Sequence, residues 1–514
     1  MKTDTIAAIA TGMTDSGIGI VRISGERAVE IGNEIFSSPS GNKILKKAES
    51  HKLYYGFLLD IDEVMAVVMK APKSFTGEDT VEIQCHGGVL VMQKILEAVL
   101  KAGARLAEPG EFTKRAFLNG RMDLSMAEAV IDVIHSQNEY ALSSSFNQLK
   151  GMLSEKIKDL RADIIHEIAF IESALDDPEH ISLDGYTDKL TQKVDHLLES
   201  IDVLLKTADN GKLIKEGINT VIVGKPNAGK SSLLNLVMGE DRAIVTDVAG
   251  TTRDVLQETV RLGGINLNII DTAGIRDTDD IVEKIGVEKA KKYAEKADLI
   301  LYVADTSVNL DENDREIISF ISSHQKKVIV LLNKSDLPNV VAEEEISQVF
   351  EEFSKRGSGT EDSRAEQVKT ERGMSGQVKE EQDRVEQVRK EQDRVEQVVK
   401  EQDSIKNRQI AMVRSSAKNN LGLEQLEKTI KHIFFQGEIK SSNEIVITNM
   451  RHKEALQEAY DSLKLVRKSI RDGMPEDFYS IDLMSAYSSL GRIIGEEVDD
   501  DLVEEIFSKF CMGK

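Results

Sequence analysis

The first part of the chain alternates apolar and polar residues with a period of two, which is typical of half-buried β-strands. Residues 74–79 and 108–113 are polar stretches that interrupt this pattern, and the pattern alone predicts ordinary surface loops there. Residues 1–118 are therefore predicted to form a β-rich N-terminal domain. The predicted strands are Ile6 to Ile9, Ile18 to Ile23, Tyr54 to Leu59, Val64 to Met69 and Thr80 to Gln84, and Val89 to Ala102 is predicted to be a helix.

From Met126 onward the apolar residues recur every three or four positions, which is the spacing of one face of an α-helix. Pro178 and Gly185 interrupt this spacing, and a second helix is predicted from about Lys189 to Thr207. We interpret the stripe as the buried face of a helical region, residues 119–215. Its members are Leu149, Leu153, Ile157, Leu160, Ile164, Ile168, Ile171 and Leu175.

Residues 216–435 alternate between strand-like and helical patterns, which indicates an α/β unit. Beyond residue 436 the chain is helical again, with apolar stripes from Leu456 to Ile470 and from Leu502 to Phe510. The α/β unit is thus predicted to be inserted between two helical segments, 119–215 and 436–514, that pack together as one domain. Its strand-like runs are 220–223, 265–270, 298–304, 327–332 and 410–413.

A polar insert of about residues 351–409 interrupts the α/β unit and contains four tandem decapeptides between Arg364 and Asp403. Ten residues do not complete a whole number of helical turns, so the valines of successive repeats drift around a helix axis. This drift argues against a coiled coil. A solvated single helix and a disordered tract both remain open.

Composition limits the protein class. The 514 residues include 66 Lys and Arg against 89 Asp and Glu, a net charge of −23, which argues against a broad basic surface for nucleic acid. Cys85 and Cys511 are the two cysteines, so neither a disulfide framework nor a cysteine zinc site is expected. The sequence shows no leader-like start and no apolar run of about 18 residues, which predicts a cytoplasmic protein without membrane spans.

The clearest motif follows the β-branched run Val221 to Val223. Gly224, Gly229, Lys230 and Ser231 match the phosphate-binding pattern G-x-x-x-x-G-K-[ST]. The loop would wrap a polyphosphate with its backbone N–H groups, and the following helix would turn its positive N-terminus toward the same anion. Lys230 is expected at the β- and γ-phosphates, and the Ser231 hydroxyl on Mg²⁺.

Three further motifs follow predicted strands in the order found in GTPases. Asp271 to Gly274 would serve Mg²⁺ and the γ-phosphate. In Asn333-Lys334-Ser335-Asp336, a buried Asp336 would accept from the guanine N1–H and amino group, which adenine does not offer. Ser416 to Lys418 would close over the base, and Thr252 lies where a switch loop would ligate Mg²⁺. The order predicts an inserted P-loop, Ras-like GTPase domain within a multidomain α/β protein.

Ile275 follows the Asp-Thr-Ala-Gly motif, where Ras-like proteins carry a glutamine that orients the attacking water. An isoleucine has no polar group for this task. Another residue must therefore position the water, and the sequence assigns no arginine finger.

Several stretches outside the GTPase motifs carry a closer resemblance. They are Ile20 to Gly25, Ser74 to Asp79, Glu108 to Thr113, Leu118 to Leu124 and Phe510 to Lys514. With them, nearly the whole chain apart from the insert resembles the tRNA-modification GTPase family MnmE, also called TrmE. This resemblance implies that the polar stretches near the N-terminus are functional.

The resemblance implies an N-terminal domain that dimerises and binds a one-carbon tetrahydrofolate. It also implies a FAD-dependent partner, MnmG (GidA), in a heterotetramer or larger complex. Together they would add an aminomethyl or carboxymethylaminomethyl group to C5 of the wobble uridine of certain tRNAs. By motif, the folate would contact Arg22, Glu78, Arg121 and Lys514.

The resemblance also assigns residues of the GTPase reaction. K⁺ would be held by Asn227 with the loop containing Thr246, Val248 and Thr251, and Mg²⁺ by Ser231 and Thr252. Glu283 would position water, and Cys511 would act in the tRNA modification. The full set of expected GTP contacts is Asn227, Ala228, Gly229, Lys230, Ser231, Ser232, Thr246, Asp247, Val248, Ala249, Gly250, Thr251, Thr252, Asp271, Thr272, Ala273, Gly274, Asn333, Lys334, Asp336, Ser416, Ala417 and Lys418.

Some residues depart from the family pattern. Arg121 stands where some relatives have Lys, Met512 replaces the usual Ile or Leu, and the repeat insert is foreign to the pattern. Two other classes stay open. A ribosome-assembly GTPase would need an RNA-binding module with a basic face, and a GTP-gated scaffold would have incomplete catalytic residues.

Overall fold

The computed structural model describes residues 4–177, 179–180, 185–240, 257–270, 295–324, 326–357, 410–435, 445–498, 500–510 and 513. The chain divides into two compact units. One comprises Met1–Ser136, Ala141–Gly211 and Asn443–Lys514, and the other comprises Gln137–Tyr140 and Lys212–Ser442. The first unit is therefore discontinuous in sequence.

The N-terminal part of the first unit is a seven-stranded sheet with the order β3-β4-β5-β6-β2-β1-β7. Because side chains alternate across a strand, one face buries its apolar residues against helices α1 and α2. The five predicted strands and the predicted helix are confirmed. The elements are β1 Ile6–Ile9, β2 Ser16–Ser24, α1 Ala28–Ile35, β3 Phe36–Ser37, β4 Leu53–Leu58, β5 Asp62–Met69, β6 Thr80–Gly87, α2 Val89–Lys101 and β7 Arg105–Leu106.

One of the two polar stretches is not a loop throughout. Glu111 begins helix α3, Glu111–Leu118, and the side chains of Phe112 and Thr113 are fully buried. The prediction of a surface loop over residues 108–113 was therefore wrong in its second half. Phe112 packs with Ile6, Ala8 and Ala107, and this apolar contact outweighs the polar composition of the stretch.

The rest of the first unit is helical and draws on both chain segments. Its main core joins Ile157 and Ile164 from the first segment to Leu456 and Leu483 from the second. The helices are α4 Leu124–His135, α5 Glu139–Leu149, α6 Met152–Asp176, α7 Tyr186–Glu216, α12 Met450–Arg471, α13 Glu476–Ile494 and α14 Asp500–Ser508; α8 to α11 belong to the other unit. The first residues of α5 and the last of α7 also belong to the other unit.

The predicted helical stripe needs two corrections. Gly151 adopts a φ of 87° and ends α5 before α6 begins, so Leu149 lies on a different helix from the other members, and Leu175 is exposed. Helix α7 also runs past the predicted end at Thr207. Gly211 lies inside it, where a Cβ would approach the Ile447 carbonyl oxygen to 2.0 Å, so this glycine permits close packing.

A buried ionic cluster links the two chain segments. Glu128 of α4 accepts hydrogen bonds from Arg451 Nη2 and pairs with the fully buried His452 Nε2 of α12, both at 2.7 Å. Burial alone would raise the Glu128 pKa, but the charges and hydrogen bonds of His452 and Arg451 lower it to about 2. The first and last thirds of the chain therefore depend on each other.

The second unit contains a six-stranded sheet with the order β13-β12-β11-β8-β10-β9. All neighbours are parallel except the β9–β10 hairpin. The five predicted strands are confirmed, and β9 is an additional one. The elements are β8 Ile218–Val223, α8 Lys230–Glu240, β9 Gln257–Leu262, β10 Ile265–Ile270, β11 Leu299–Asp305, α9 Glu312–Ser323, β12 Lys327–Asn333, α10 Glu343–Gly357, β13 Ile410–Arg414 and α11 Leu423–Phe435.

This arrangement is the multidomain α/β fold that the sequence predicts. Among the described helices, none combines the length and the apolar character that crossing a bilayer requires. The decapeptide repeats, residues 364–403, lie outside the described residues.

Candidate functional site

The phosphate-binding loop runs from the end of β8 to the start of α8, as predicted. Gly224 has a φ of 154°, and a Cβ there would lie 2.4 Å from the Val303 carbonyl oxygen of β11. Asn227 and Gly229 also have positive φ values, 61° and 102°. These conformations curve the loop just before the start of a helix. A curved loop of backbone N–H groups at a helix N-terminus is the geometry that binds phosphate.

Lys230 is the first residue of α8. Its ammonium donates to the carbonyl oxygens of Gly224 and Lys225, both at 2.7 Å. Burial lowers the pKa of this lysine because the charged form is desolvated. The ammonium therefore lies across the mouth of the loop, where a polyphosphate would give it a counter-ion.

Asn333, at the end of β12, joins three motifs. Its side-chain Nδ2 donates to the Ala228 carbonyl oxygen at 2.8 Å, and its Oδ1 accepts from the Ala417 N–H at 3.2 Å. The residue is only 3% exposed. A Cβ at Gly229 would lie 2.1 Å from Asn333 Nδ2, so this glycine makes the contact possible. The side chain thus ties the phosphate loop to the loop expected to cover the base.

Asp336 and Ser416 form the next contact. The Ser416 hydroxyl donates to Asp336 Oδ1 at 2.6 Å, and this hydrogen bond lowers the pKa of Asp336. The carboxylate is exposed, whereas the sequence predicted a buried one. An exposed carboxylate of this kind can accept hydrogen bonds from a ligand.

Lys334 completes the described part of this end of the sheet. It adopts a φ of 62°, and its ammonium contacts Asp305 Oδ2 at 2.5 Å. Burial alone would raise the pKa of Asp305, but the hydrogen bonds from Lys334 and Ser307 lower it. Asp305 was not identified from the sequence, although its position at the end of β11 marks the same sheet edge.

Other expected GTP residues are placed only in part. Ser231 and Ser232 lie in the first turn of α8, and Lys418 is exposed beyond Ser416. Thr246 to Thr252, Asp271 to Gly274 and Glu283 lie outside the described residues. The described residues therefore supply the phosphate loop and a second group, Asn333, Asp336 and Ser416, which we call the base-reading end of the α/β unit.

A second cluster of polar groups lies in the N-terminal domain. Glu78 accepts from the Ser24 hydroxyl at 2.8 Å and from Arg115 Nη1 at 3.2 Å. Arg115 also contacts Asp4 and Glu111, at 2.9 and 3.0 Å. We call Asp4, Glu78, Arg105, Glu111 and Arg115 the charged cluster. Arg105 binds Asp4 and Glu111 as well, at 2.7 and 2.6 Å.

Arg115 was not identified from the sequence. It follows Glu111 by one helical turn, which is a visible signal, but its contact with Glu78 spans 37 positions. Its side chain is 11% exposed, and hydrogen bonds and charges from Glu111 and Glu78 raise its pKa although burial lowers it. The guanidinium therefore stays charged and holds Glu78 in place.

Arg22 lies on β2, two residues before Ser24. It pairs with Glu82 at 2.7 Å and has its guanidinium carbon 5.4 and 5.6 Å from the ring centres of Phe75 and Phe112. Its Nη1 donates to the Gly513 carbonyl oxygen at 3.4 Å, which brings the C-terminal segment to the N-terminal sheet. Of the other expected residues, Arg121 is exposed, whereas Cys511 and Lys514 lie outside the described residues.

Comparison with known proteins agrees with these features. The family model described as MnmE helical domain matches residues 124–511, and that described as GTP-binding protein TrmE N-terminus matches residues 5–121. The tRNA modification GTPase MnmE of Lachnoclostridium phytofermentans is 52% identical over 518 residues, covering 100% of both chains. Those of Clostridioides difficile and Acetivibrio thermocellus are 44% and 42% identical, covering 99% and 100% of both chains. The chain belongs to the MnmE family of tRNA modification GTPases.

Proposed function

We propose that this protein hydrolyses GTP and couples the hydrolysis to tRNA modification. The observation that carries the proposal is the pair of hydrogen bonds from Asn333, one to the phosphate loop and one to the Ser416–Lys418 loop. This arrangement supports a role for Asp336 as the acceptor for the base of a nucleotide whose phosphates are held by the loop. A carboxylate accepts from guanine and has no matching donors in adenine, so it selects GTP.

The first experiment is nucleotide binding by the full chain. Fluorescent GDP and GTP analogues should bind, ATP should not compete at a thousandfold excess, and GTP should be turned over. Equal competition by ATP and GTP would exclude the assigned role of Asp336.

The residues present fit the two proposed cations. Asn227 is exposed in the phosphate loop, and its amide oxygen is a suitable ligand for K⁺, while the Ser231 hydroxyl at the start of α8 suits Mg²⁺. Thr246, Val248 and Thr251 would complete the first set, and Thr252 the second. When bound, the cations would offset negative charge on the phosphates, in the role that an arginine has in other GTPases. Glu283 would position the water.

The cation assignment has a direct test. Hydrolysis measured in KCl and in NaCl at equal ionic strength should be fast only in KCl, and Asn227→Ala should abolish this difference with little change in nucleotide affinity. Equal rates of the unaltered protein in both salts would exclude K⁺ dependence. A partner G domain would hold the loop closed, so the rate per chain should also rise with protein concentration.

For the N-terminal domain we propose binding of a one-carbon tetrahydrofolate by Arg22, Glu78, Arg121 and Lys514. Support comes from Arg22, whose guanidinium lies over two aromatic rings, and from Glu78, which accepts from Ser24 two residues after Arg22 on β2, since folate carries both a carboxylate tail and a ring with N–H donors. Titration calorimetry with a tetrahydrofolate should show binding that Arg22→Met weakens. Unchanged binding in that variant would remove Arg22 from the site.

We also propose that the protein is a homodimer. Leu53, Tyr55, Phe57 and Met65 share the face of the N-terminal sheet opposite to α1 and α2, and each is at least 40% exposed. Adjacent exposed apolar side chains on one face are typical of an interaction surface. Light scattering should give a dimer mass, and Phe57→Lys should lower it. A monomer mass for the unaltered protein would exclude the dimer.

The proposed tRNA chemistry is addition of an aminomethyl or carboxymethylaminomethyl group to C5 of the wobble uridine, in the cytoplasm, with the FAD-dependent MnmG. Cys511 would act in this reaction. Nucleoside analysis of tRNA from a strain without the gene should show loss of these groups. Complementation with Cys511→Ser should fail to restore them although GTP hydrolysis is retained, and loss of both activities would indicate a structural role for Cys511.

A further inference from the structure

Lys225 belongs to the phosphate loop, but its side chain points to a different element. Its ammonium contacts Asp311 Oδ2 at 2.9 Å and Asp314 Oδ2 at 2.6 Å, both at the start of α9. The side chains of Lys225 and Asp314 are 12% and 3% exposed, whereas that of Asp311 is 52% exposed. The contact with Asp314 is therefore the shielded one, and it is expected to hold the lysine more firmly.

Asp314 is itself fixed from two sides. The hydroxyl of Tyr302 donates to Asp314 Oδ1 at 2.9 Å, and Tyr302 is fully buried in β11. Asp314 Oδ2 also accepts from the Asp311 N–H at 3.1 Å, while the Asp314 N–H donates to Asp311 Oδ1 at the same distance. This reciprocal pair is a capping box, so the carboxylate that meets Lys225 has little freedom to move.

Strand β11 also contacts the backbone at the start of the phosphate loop. Tyr302 pairs with Val223, the residue before Gly224, and Val303 lies against Gly224 itself. The loop therefore rests on β11 at its start, and the Lys225 side chain attaches the next residue to a carboxylate bound to β11. Meanwhile the Lys225 carbonyl oxygen accepts from Lys230, the lysine expected to meet the phosphates.

We propose that Lys225 is a positioning residue for nucleotide binding, acting through Asp314 and Tyr302 rather than on the phosphate. The ion pair holds the first part of the loop in the conformation that presents its N–H groups. Without it, the loop must be ordered when the nucleotide binds, and this lowers affinity. The proposal rests on the proposed guanine-nucleotide binding, and it adds that the Lys225 side chain orders the loop before the nucleotide binds.

The opposing possibility is that Lys225 leaves Asp314 and contacts the phosphates directly. The two cases differ in the effect of Asp314. If Lys225 acts through Asp314, then Lys225→Met and Asp314→Asn should weaken binding alike. If Lys225 binds phosphate directly, then Asp314→Asn leaves the ammonium with only the exposed contact to Asp311, which makes it easier to move, and should leave affinity unchanged or raise it.

The experiment measures affinity and dissociation rate of a fluorescent GDP analogue on the full chain. We expect Lys225→Met and Asp314→Asn each to weaken binding about tenfold, mainly through faster dissociation. The double variant should also lose about tenfold rather than a hundredfold, because the residues act as one unit. Lys225→Arg, which keeps the charge and can reach both carboxylates, should restore affinity to within about threefold.

Lys431→Met is the matched control. Lys431 pairs with Glu427 at 2.6 Å, with the two side chains 22% and 28% exposed, in helix α11 of the same unit. This variant removes an ion pair from the same unit and should lower the melting temperature by no more than Lys225→Met does, while leaving GDP affinity unchanged. Lys225→Met with a lower melting temperature but unchanged affinity would overturn the proposal, as would full additivity of the two variants.

The experiment distinguishes failure of the proposed function from failure of the role of Lys225. If the unaltered chain does not bind GDP, the proposed function fails; if it binds and the variants bind equally well, only the role of Lys225 fails. Should Lys225→Met and Asp314→Asn not fold, Tyr302→Phe decides, because it keeps the buried ring and removes only the hydrogen bond to Asp314. It should weaken GDP binding about threefold, and unchanged affinity would then overturn the proposal.

Discussion

The base-reading end of the α/β unit and the charged cluster of the N-terminal domain share one type of hydrogen bond but differ in how their residues are held in place. In each, a serine hydroxyl donates to a carboxylate, Ser416 to Asp336 and Ser24 to Glu78. Asp336 is exposed and accepts a hydrogen bond from Ser416, whereas Glu78 pairs with Arg115, whose side chain is 11% exposed and also contacts Asp4 and Glu111. The ends of the strands position the residues of the first site, whereas ion pairs hold the residues of the second.

The largest effect is expected at Asp336. Asp336→Asn replaces one acceptor oxygen of the carboxylate by an NH₂ donor, which opposes the donors of guanine, so GTP affinity should fall at least about a thousandfold. Affinity for a xanthosine nucleotide should rise, because xanthine has a carbonyl where guanine has an amino group. Competition binding measures both. Loss of both nucleotides alike would indicate a collapsed site instead of an altered preference.

The second effect tests how the charged cluster is held. Arg115→Met removes the cation shared by Glu78, Asp4 and Glu111, and leaves partly buried carboxylates facing one another. We expect a loss of about 3 kcal/mol in the free energy of unfolding of this domain. Denaturation followed by hydrogen exchange of N-terminal peptides measures it.

Arg27→Met provides the control for that measurement. Arg27 pairs with Glu30 in the same domain, but both side chains are more than half exposed. This change should cost no more than about 0.5 kcal/mol. Equal losses for Arg27→Met and Arg115→Met would mean that burial does not strengthen the cluster.

Acid should weaken the charged cluster. A hydrogen bond from Arg105 lowers the Asp4 pKa, and hydrogen bonds from Arg105 and Arg115 lower that of Glu111 although burial alone would raise it. Groups with a lowered pKa stabilise the fold above their unfolded pKa of about 4, and this stabilisation is lost as pH falls through the folded value. Hydrogen exchange at pH 7 and pH 3.5, corrected for intrinsic rates, should therefore show a loss of protection around the charged cluster at the lower pH. Unchanged protection there at pH 3.5 would contradict this.

The smallest effect compares the two serines. Ser416→Ala and Ser24→Ala each remove one hydroxyl bound to a carboxylate, so each should cost about 1 kcal/mol, or roughly fivefold in affinity. Ser416→Ala should weaken guanine nucleotides alone, and Ser24→Ala a tetrahydrofolate alone. Titration of each variant with both ligands checks this. A crossed effect would show that the two sites are coupled.

The same contrast explains what the sequence could predict. Ends of parallel strands meet at one sheet edge, so the order of Gly229, Asn333 and Ser416 along the chain was enough to bring them together. The contacts of Arg115 follow no such rule, since its partners are Asp4 before β1, Glu78 in a loop and Glu111 in its own helix. Resemblance identified Glu78, but only the structure shows what holds it.

Two misjudged elements show where patterns fail. Strand β9, Gln257–Leu262, is polar at four of its six positions, and its pairing with β10 supplies what its composition does not indicate. Helix α3 begins inside a polar stretch because Phe112 is buried against Ile6 and Ala8, which are distant in sequence. In both cases tertiary contacts override the local signal.

The ionic cluster of Glu128 with His452 has a consequence for the protein while it is being made. The two residues are separated by 324 positions, with the whole nucleotide-binding unit encoded between them. At roughly 5 to 20 residues per second, about 15 to 65 seconds pass on the ribosome before Glu128 can meet its partners. During this interval the nascent chain carries a helical half-domain with an unmatched acidic group and an open apolar face. Such a chain would depend on chaperones until the last helices emerge, and a stop codon placed after residue 435 would release a product that exposes this face permanently.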